Sequence, residues 1–128
     1  MSQENVEIAR SAWTADAFIA LFDEYIVMDS RANPVPGLPI VEMGRNEVIK
    51  GFRRYWGTWD EYVIDPVEFI DAGQSVVVVI REHGRGKGSG VPVEREHFQL
   101  WTFRGDKLIR WEPFRSKAEA LEAAGLSE

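Results

Sequence analysis

Two periodicities alternate along the chain. Between Gln3 and Trp13, apolar residues recur at Val6, Ala9 and Trp13 with Ile8 and Ala12 beside them, the spacing of one helix face. A second helix is predicted directly after it, with Phe18, Leu21, Phe22, Tyr25 and Ile26 as its stripe and Thr14 or Asp16 as its cap. Val27 to Ala32 reads as a short strand. The prolines at 34, 36 and 39 then force irregular chain, since each removes a backbone donor and restricts its predecessor. A third helix is predicted from about Arg45 to Trp59, with Val48, Ile49, Phe52, Tyr55, Trp56 and Trp59 on its apolar face.

Beyond Trp59 the period drops to two. Strands are predicted at 62–71, 75–83, 93–104 and 107–115, with turns at Asp71-Ala72-Gly73-Gln74 and Arg104-Gly105-Asp106. Glycine recurs at every second position from Gly84 to Gly90, which fits a twisted or bulged hairpin. A last helix carries the capping-box pair Ser116 and Glu119 and stops at Gly125. Helices followed by antiparallel strands define an α+β class, with a long sheet that bends and helices on its concave face. The concave side is either filled by aromatic side chains or left as a pocket. Residues 1–128 read as a single domain, without repeat or linker.

Composition narrows the function. In 128 residues, 45% are hydrophobic and 12% aromatic, including five tryptophans, ample for a core. No cysteine is present, which excludes disulfides, thiolate metal sites and cysteine nucleophiles. The net charge of −6 argues against nucleic acid, whose binding depends on neutralising phosphates. Arg81, Arg85, Lys87 and Arg95 flank the glycine run as a solvated hairpin tip. The segment Met1 to Asn5 lacks the basic and apolar parts of a signal peptide, and the longest apolar run, Val76 to Ile80, is too short for a membrane helix. A cytoplasmic protein without membrane contact is expected.

The glycine run matches neither G-x-G-x-x-G nor a P-loop, and it joins strand to strand with no helix N-terminus to hold an anion. His83 and His97 form no metal motif, and no serine has nucleophile-elbow context. Neither a metal nor a cofactor is called for. Alternation along 95–103 places Arg95, His97, Gln99, Trp101 and Phe103 on one strand face. A buried His beside Gln is commonly a satisfied hydrogen-bonding pair. Asp29 ends an apolar stretch just before the proline-rich loop; there it is either a general base whose pKa apolar neighbours raise, or a turn-forming residue bonded to backbone amides.

Several segments carry a family resemblance: Gln3 to Arg10, Phe69-Ile70-Asp71-Ala72-Gly73, Val76 to Arg81, Leu100 to Phe103 with Lys107-Leu108-Ile109, and Glu119 to Leu126. Together they resemble the SnoaL-like branch of the nuclear transport factor 2-like superfamily. The resemblance implies a cone in which helices and a bent sheet enclose a pocket, in a homodimer formed through the outer sheet face. It also implies relatives as varied as ketosteroid isomerase, polyketide cyclases, scytalone dehydratase and limonene epoxide hydrolase. Against the isomerase pattern, Val27-Met28-Asp29-Ser30 matches the stretch holding the general base, and Gln99 takes the place of the oxyanion-stabilising acid. No hydroxyl stands at Ala12 or Trp13, where the isomerase has its tyrosine. Against the cyclases, His97 and Gln99 are present without the Asp.

The expected site therefore comprises Asp29, His97 and Gln99 for chemistry, with Trp13, Tyr25, Phe52, Trp56, Trp101, Trp111 and Arg115 around an apolar small molecule. Two classes of function follow. One is isomerase- or cyclase-like proton transfer with Asp29 as base; the other is non-catalytic binding, or an accessory dimer whose pocket is filled.

Overall fold

The first helix, α1 (Ser2–Arg10), buries Val6 and Ala9, and α2 (Ala15–Ala20) follows within five residues, capped by Thr14 Oγ1 accepting from the Ala17 N–H at 3.0 Å. The computed structural model describes residues 2–126; Met1, the start of the N-terminal segment discussed above, and residues 127–128 lie outside them. After α2 come β1 (Phe22–Asp29), β2 (Val41–Met43), α3 (Arg45–Trp56), β3 (Trp59–Ala72), β4 (Ser75–Gly86), β5 (Pro92–Arg104), β6 (Lys107–Phe114) and α4 (Lys117–Ala123).

One six-stranded sheet runs in the order β2-β1-β6-β5-β4-β3, antiparallel throughout except where β1 lies parallel to β6. The sheet is strongly bent and mixed. Bulges in β3 at 60–63 and 66–68 interrupt its pairing with β4, and Glu61 within the first has a positive φ of 54°. Gly84 of β4 faces that bulge. A Cβ there would come within 3.0 Å of the Trp59 ring and 3.1 Å of the carbonyl oxygens of Asp60 and Glu61.

The two sheet faces have separate cores. Val76, Val78, Ile80, Trp101, Phe103, Leu108 and Trp111 pack inward against α1, α2 and α3, together with Val48, Phe52 and Tyr55 of α3. Val77, Leu100 and Phe114 face outward and are covered by Ala120 and Leu121 of α4. That tail helix is capped by Ser116, whose Oγ accepts from the Glu119 N–H at 3.1 Å.

The predicted stripe from Phe18 to Ile26 is divided in the structure. Helix α2 stops at Ala20 and strand β1 begins at Phe22, so the strand expected at 27–32 starts five residues earlier. Tyr25, expected on a buried helix face, is 71% exposed. Pairing with β6 explains the change: the Leu108 N–H donates to the Leu21 carbonyl at 2.7 Å, and Phe22 sits opposite Leu108. Long-range strand pairing overrides a local helical pattern. Helix α3 likewise ends at Trp56, before Gly57, and Trp59 opens β3.

Candidate functional site

Between the helices and the inward sheet face lies a cavity of about 300 Å³. Its walls are Trp13, Phe18, Phe52, Trp56, Trp101 and Trp111, with Val35 and Leu38 from the proline-rich loop. Trp13 stacks on Trp101 with ring centres 5.7 Å apart, and Phe52 stacks on Trp56 at the same separation. The polar part of the wall consists of Tyr55, Tyr62, Glu82, His97 and Gln99 from α3 and the sheet, with Thr14 at the start of α2.

Glu82 organises this polar side. Only 1% of it is exposed. Its Oε1 accepts from the Tyr55 hydroxyl at 2.9 Å, Arg95 Nε at 2.6 Å and His97 Nε2 at 2.7 Å, while its Oε2 accepts from the Tyr62 hydroxyl. Burial by itself would raise the pKa of this carboxyl. The hydrogen bonds from His97, Tyr62 and Arg95 outweigh it and hold the group at about 2. Burial, then the neighbouring carboxylate, pushes Tyr55 up to about 12 and Tyr62 upward as well, so both remain hydroxyl donors. Arg95 also reaches the Tyr55 oxygen at 2.9 Å. Register accounts for the cluster: on the inward face Glu82 pairs with Arg95, Ile80 with His97 and Val78 with Gln99.

An ionised carboxylate only accepts, so His97 Nε2 carries the proton and a neutral ring holds its lone pair on Nδ1. That Nδ1 is buried without a hydrogen-bond partner among the described residues, as is Trp13 Nε1. Each such orphan costs about 1–3 kcal/mol until something answers it. Gln99 is oriented by two indoles: its Oε1 accepts from Trp101 Nε1 at 2.8 Å and Trp111 Nε1 at 3.2 Å. Indole N–H groups only donate, so the amide oxygen must face them and the amide nitrogen is left for other partners.

The structure brings together His97, Gln99, Trp13, Phe52, Trp56, Trp101 and Trp111 on the cavity wall. Asp29, Tyr25 and Arg115 are not on that wall. In β1, Ile26 and Met28 are completely buried in the inner core, so period-two alternation turns Asp29 to the opposite face. There it accepts from Arg31 Nε at 3.0 Å and Nη2 at 2.8 Å, and from Arg110 Nη2. The side-chain hydrogen bonds from Arg31 lead the causes that lower its pKa to about 2, the reverse of the raised value a general base there would need. Its N–H bond from Arg31 at 3.1 Å also makes it the turn-forming residue of the alternative reading. Tyr25 is exposed in β1, and Arg115 follows the end of β6 at the surface.

Sequence reasoning passed over Glu82, Tyr55 and Tyr62 as site residues. Glu82 was accessible to it: the inward series Val76, Val78, Ile80 continues to 82. Tyr62 was not, since the bulge at Glu61 resets the phase of β3. Among the described residues, no cluster of three His, Asp or Glu side chains is placed to hold a metal ion, and no helix is long and apolar enough to cross a membrane.

Fold and site together define a cone-shaped α+β pocket protein of the nuclear transport factor 2-like kind. Residues 6–111 match the model of the SnoaL-like domain, and the chain belongs to that family. Solved structures agree in fold. A candidate SnoaL-like polyketide cyclase from a Jannaschia species has a TM-score of 0.76 at 15% identity, covering 99% of this chain and 95% of that one. A nuclear transport factor 2-like protein of unknown function from Burkholderia pseudomallei has a TM-score of 0.74 at 20% identity, covering 92% and 95%. A protein of ketosteroid isomerase-like fold from Catenulispora acidiphila, in complex with trimethylamine, has a TM-score of 0.70 at 20% identity, covering 98% and 95%. Among curated proteins, none matches the sequence significantly.

Proposed function

We propose that the cavity holds a small carbonyl compound and moves one of its protons. His97 Nδ1 takes the proton from the carbon next to the carbonyl, the C–H electron pair passes into the enolate, and the Gln99 amide nitrogen donates to the oxygen where charge collects. Where a β,γ double bond extends the enolate, return of the proton from the imidazolium to the γ-carbon shifts that double bond into conjugation. Alternatively the enolate carbon attacks a second carbonyl of the molecule, closing a ring, and the imidazolium returns its proton to the alkoxide so formed. Glu82 is a positioning residue that fixes the tautomer of His97 and offsets the charge of the imidazolium. The observation that carries this reading is the pair His97 and Gln99 on one face of β5, one backed by a buried carboxylate and the other held by two indoles.

The test is exchange of α-hydrogen for deuterium in D₂O, followed by NMR over a panel of enolisable ketones. Exchange is expected with the native chain and is expected to fall by roughly 100-fold or more in His97→Gln, the lower range for losing a general base. Unchanged exchange in that variant would sink the mechanism. Burial of Nδ1 favours a second reading, an apolar-ligand binder without chemistry. Binding without exchange across the panel selects it. The proposal also keeps the pairing of two copies through the outer sheet face, supported by the exposure of Val41, Met43 and Tyr25. Light scattering that finds single chains at all concentrations removes that part.

A further inference from the structure

The cavity has a definite charge and hydrogen-bonding character. Among the described residues that line it there is no lysine or arginine, and Glu82 is the one acidic residue. Arg95 offsets that carboxylate from outside the lining set and is engaged by it at 2.6 Å. An anion entering the cavity would lose its water, meet no cation and lie near a carboxylate. Transfer of an unpaired ion into such surroundings is strongly unfavourable. Trp13 Nε1 and His97 Nδ1 lack partners but are themselves buried, so the polar group left over for a ligand is the Gln99 amide nitrogen, whose oxygen is taken by two indoles. A donor calls for an acceptor on the ligand. The stacked pairs Trp13–Trp101 and Phe52–Trp56 present flat apolar surface, and about 300 Å³ is the volume of roughly ten water molecules.

We infer that the ligand is an uncharged, flat carbonyl compound of about the size of two fused rings, and that the cavity discriminates against carboxylates of the same shape. This rests on reading the cavity as a small-molecule site, not on proton transfer. Gln99 becomes the specificity-determining residue, because its donor is turned inward by Trp101 and Trp111.

Three probes with equal numbers of non-hydrogen atoms test this on the full chain: 2-acetylnaphthalene, 2-naphthoate and 2-isopropylnaphthalene. Binding is read from quenching of the wall tryptophans and checked by calorimetry. The ketone is expected to bind at least about tenfold more tightly than the carboxylate, and several-fold more tightly than the hydrocarbon, the range for a buried donor left unpaired. In Gln99→Leu the advantage over the hydrocarbon is expected to vanish. Should circular dichroism show that variant unfolded, Gln99→Met serves in its place, since it nearly keeps the length and volume of the side chain and has no donor at any pH. Carboxylate binding as tight as that of the ketone, failure of all three to bind, or a ketone preference that survives loss of the Gln99 donor would each overturn the inference. Absence of deuterium exchange in the bound ketone would leave it standing and would instead count against His97 as a base.

Discussion

Glu82 and Asp29 are both buried, both held at about 2 and both paired with arginine, yet they stand on opposite faces of one sheet. Their partners differ. Glu82 gathers Tyr55, Tyr62 and His97, which line the cavity, so its charge orders a wall. Asp29 gathers Arg31, whose side chain is 69% exposed, and Arg110, at 36%. Those guanidiniums can turn to water if the carboxylate goes. A low carboxyl pKa therefore says nothing of function by itself; the face it points to, and what it holds, decide.

That contrast can be broken most forcefully at Glu82. Glu82→Leu leaves buried His97 and the two wall hydroxyls without their acceptor, while Arg95, 38% exposed, can turn to water. It is expected to destabilise the fold by about 3–5 kcal/mol, at about 1–3 kcal/mol for each buried donor left unpaired. A melting temperature lowered by roughly 10 °C or more would show it in differential scanning calorimetry. A drop of only a few degrees would mean that the network is dispensable.

Acid sharpens the comparison. Glu82 falls from 4.5 to about 2 and Asp29 from 3.8 to about 2 on folding. Both are depressed, so the stability they confer is complete above the unfolded values and is lost as pH falls from about 4.5 toward 2. Melting temperatures measured across that window are expected to decline less steeply in Glu82→Gln and in Asp29→Asn than in the native chain. Parallel slopes in all three would contradict the assignment.

A smaller effect is expected from Asp29→Asn at neutral pH, about 1 kcal/mol, because its arginines reach solvent. Deuterium exchange and probe binding should stay within about twofold of native, where an active-site base would lose its general-base contribution of 10²–10⁴. Glu82→Gln, by contrast, is expected to slow exchange by roughly tenfold or more in protein that circular dichroism shows to be folded, since the imidazole loses the carboxylate that fixes its tautomer. Exchange in that folded variant as fast as in the native chain would mean that the role of Glu82 is structural alone.

Much of this was legible in the order of residues. Alternation along 95–103 grouped His97, Gln99 and Trp101 correctly, and the helical face Val48–Phe52–Tyr55 is the buried one. Asp29 misled because a helical stripe through Tyr25 and Ile26 conceals the strand phase that starts at Phe22. Glu82 hid behind the run Val76–Ile80, which is apolar on both faces because helices cover both, so no polar position marks the alternation. Tyr62 depends on an inserted residue in β3, which no periodicity announces.

The close approach of Gly84 to the bulged start of β3 has a consequence for chamber size. A methyl group at that position would strike main-chain oxygens, which cannot swing aside as a side chain can. The segment bearing Trp59 and Tyr62 would have to back away, loosening the hydroxyl end of the chamber and the grip on its carboxylate. What resembles a slack, glycine-rich connector thus acts as a spacer of zero thickness, and the room available to a guest is set partly by an atom that is missing.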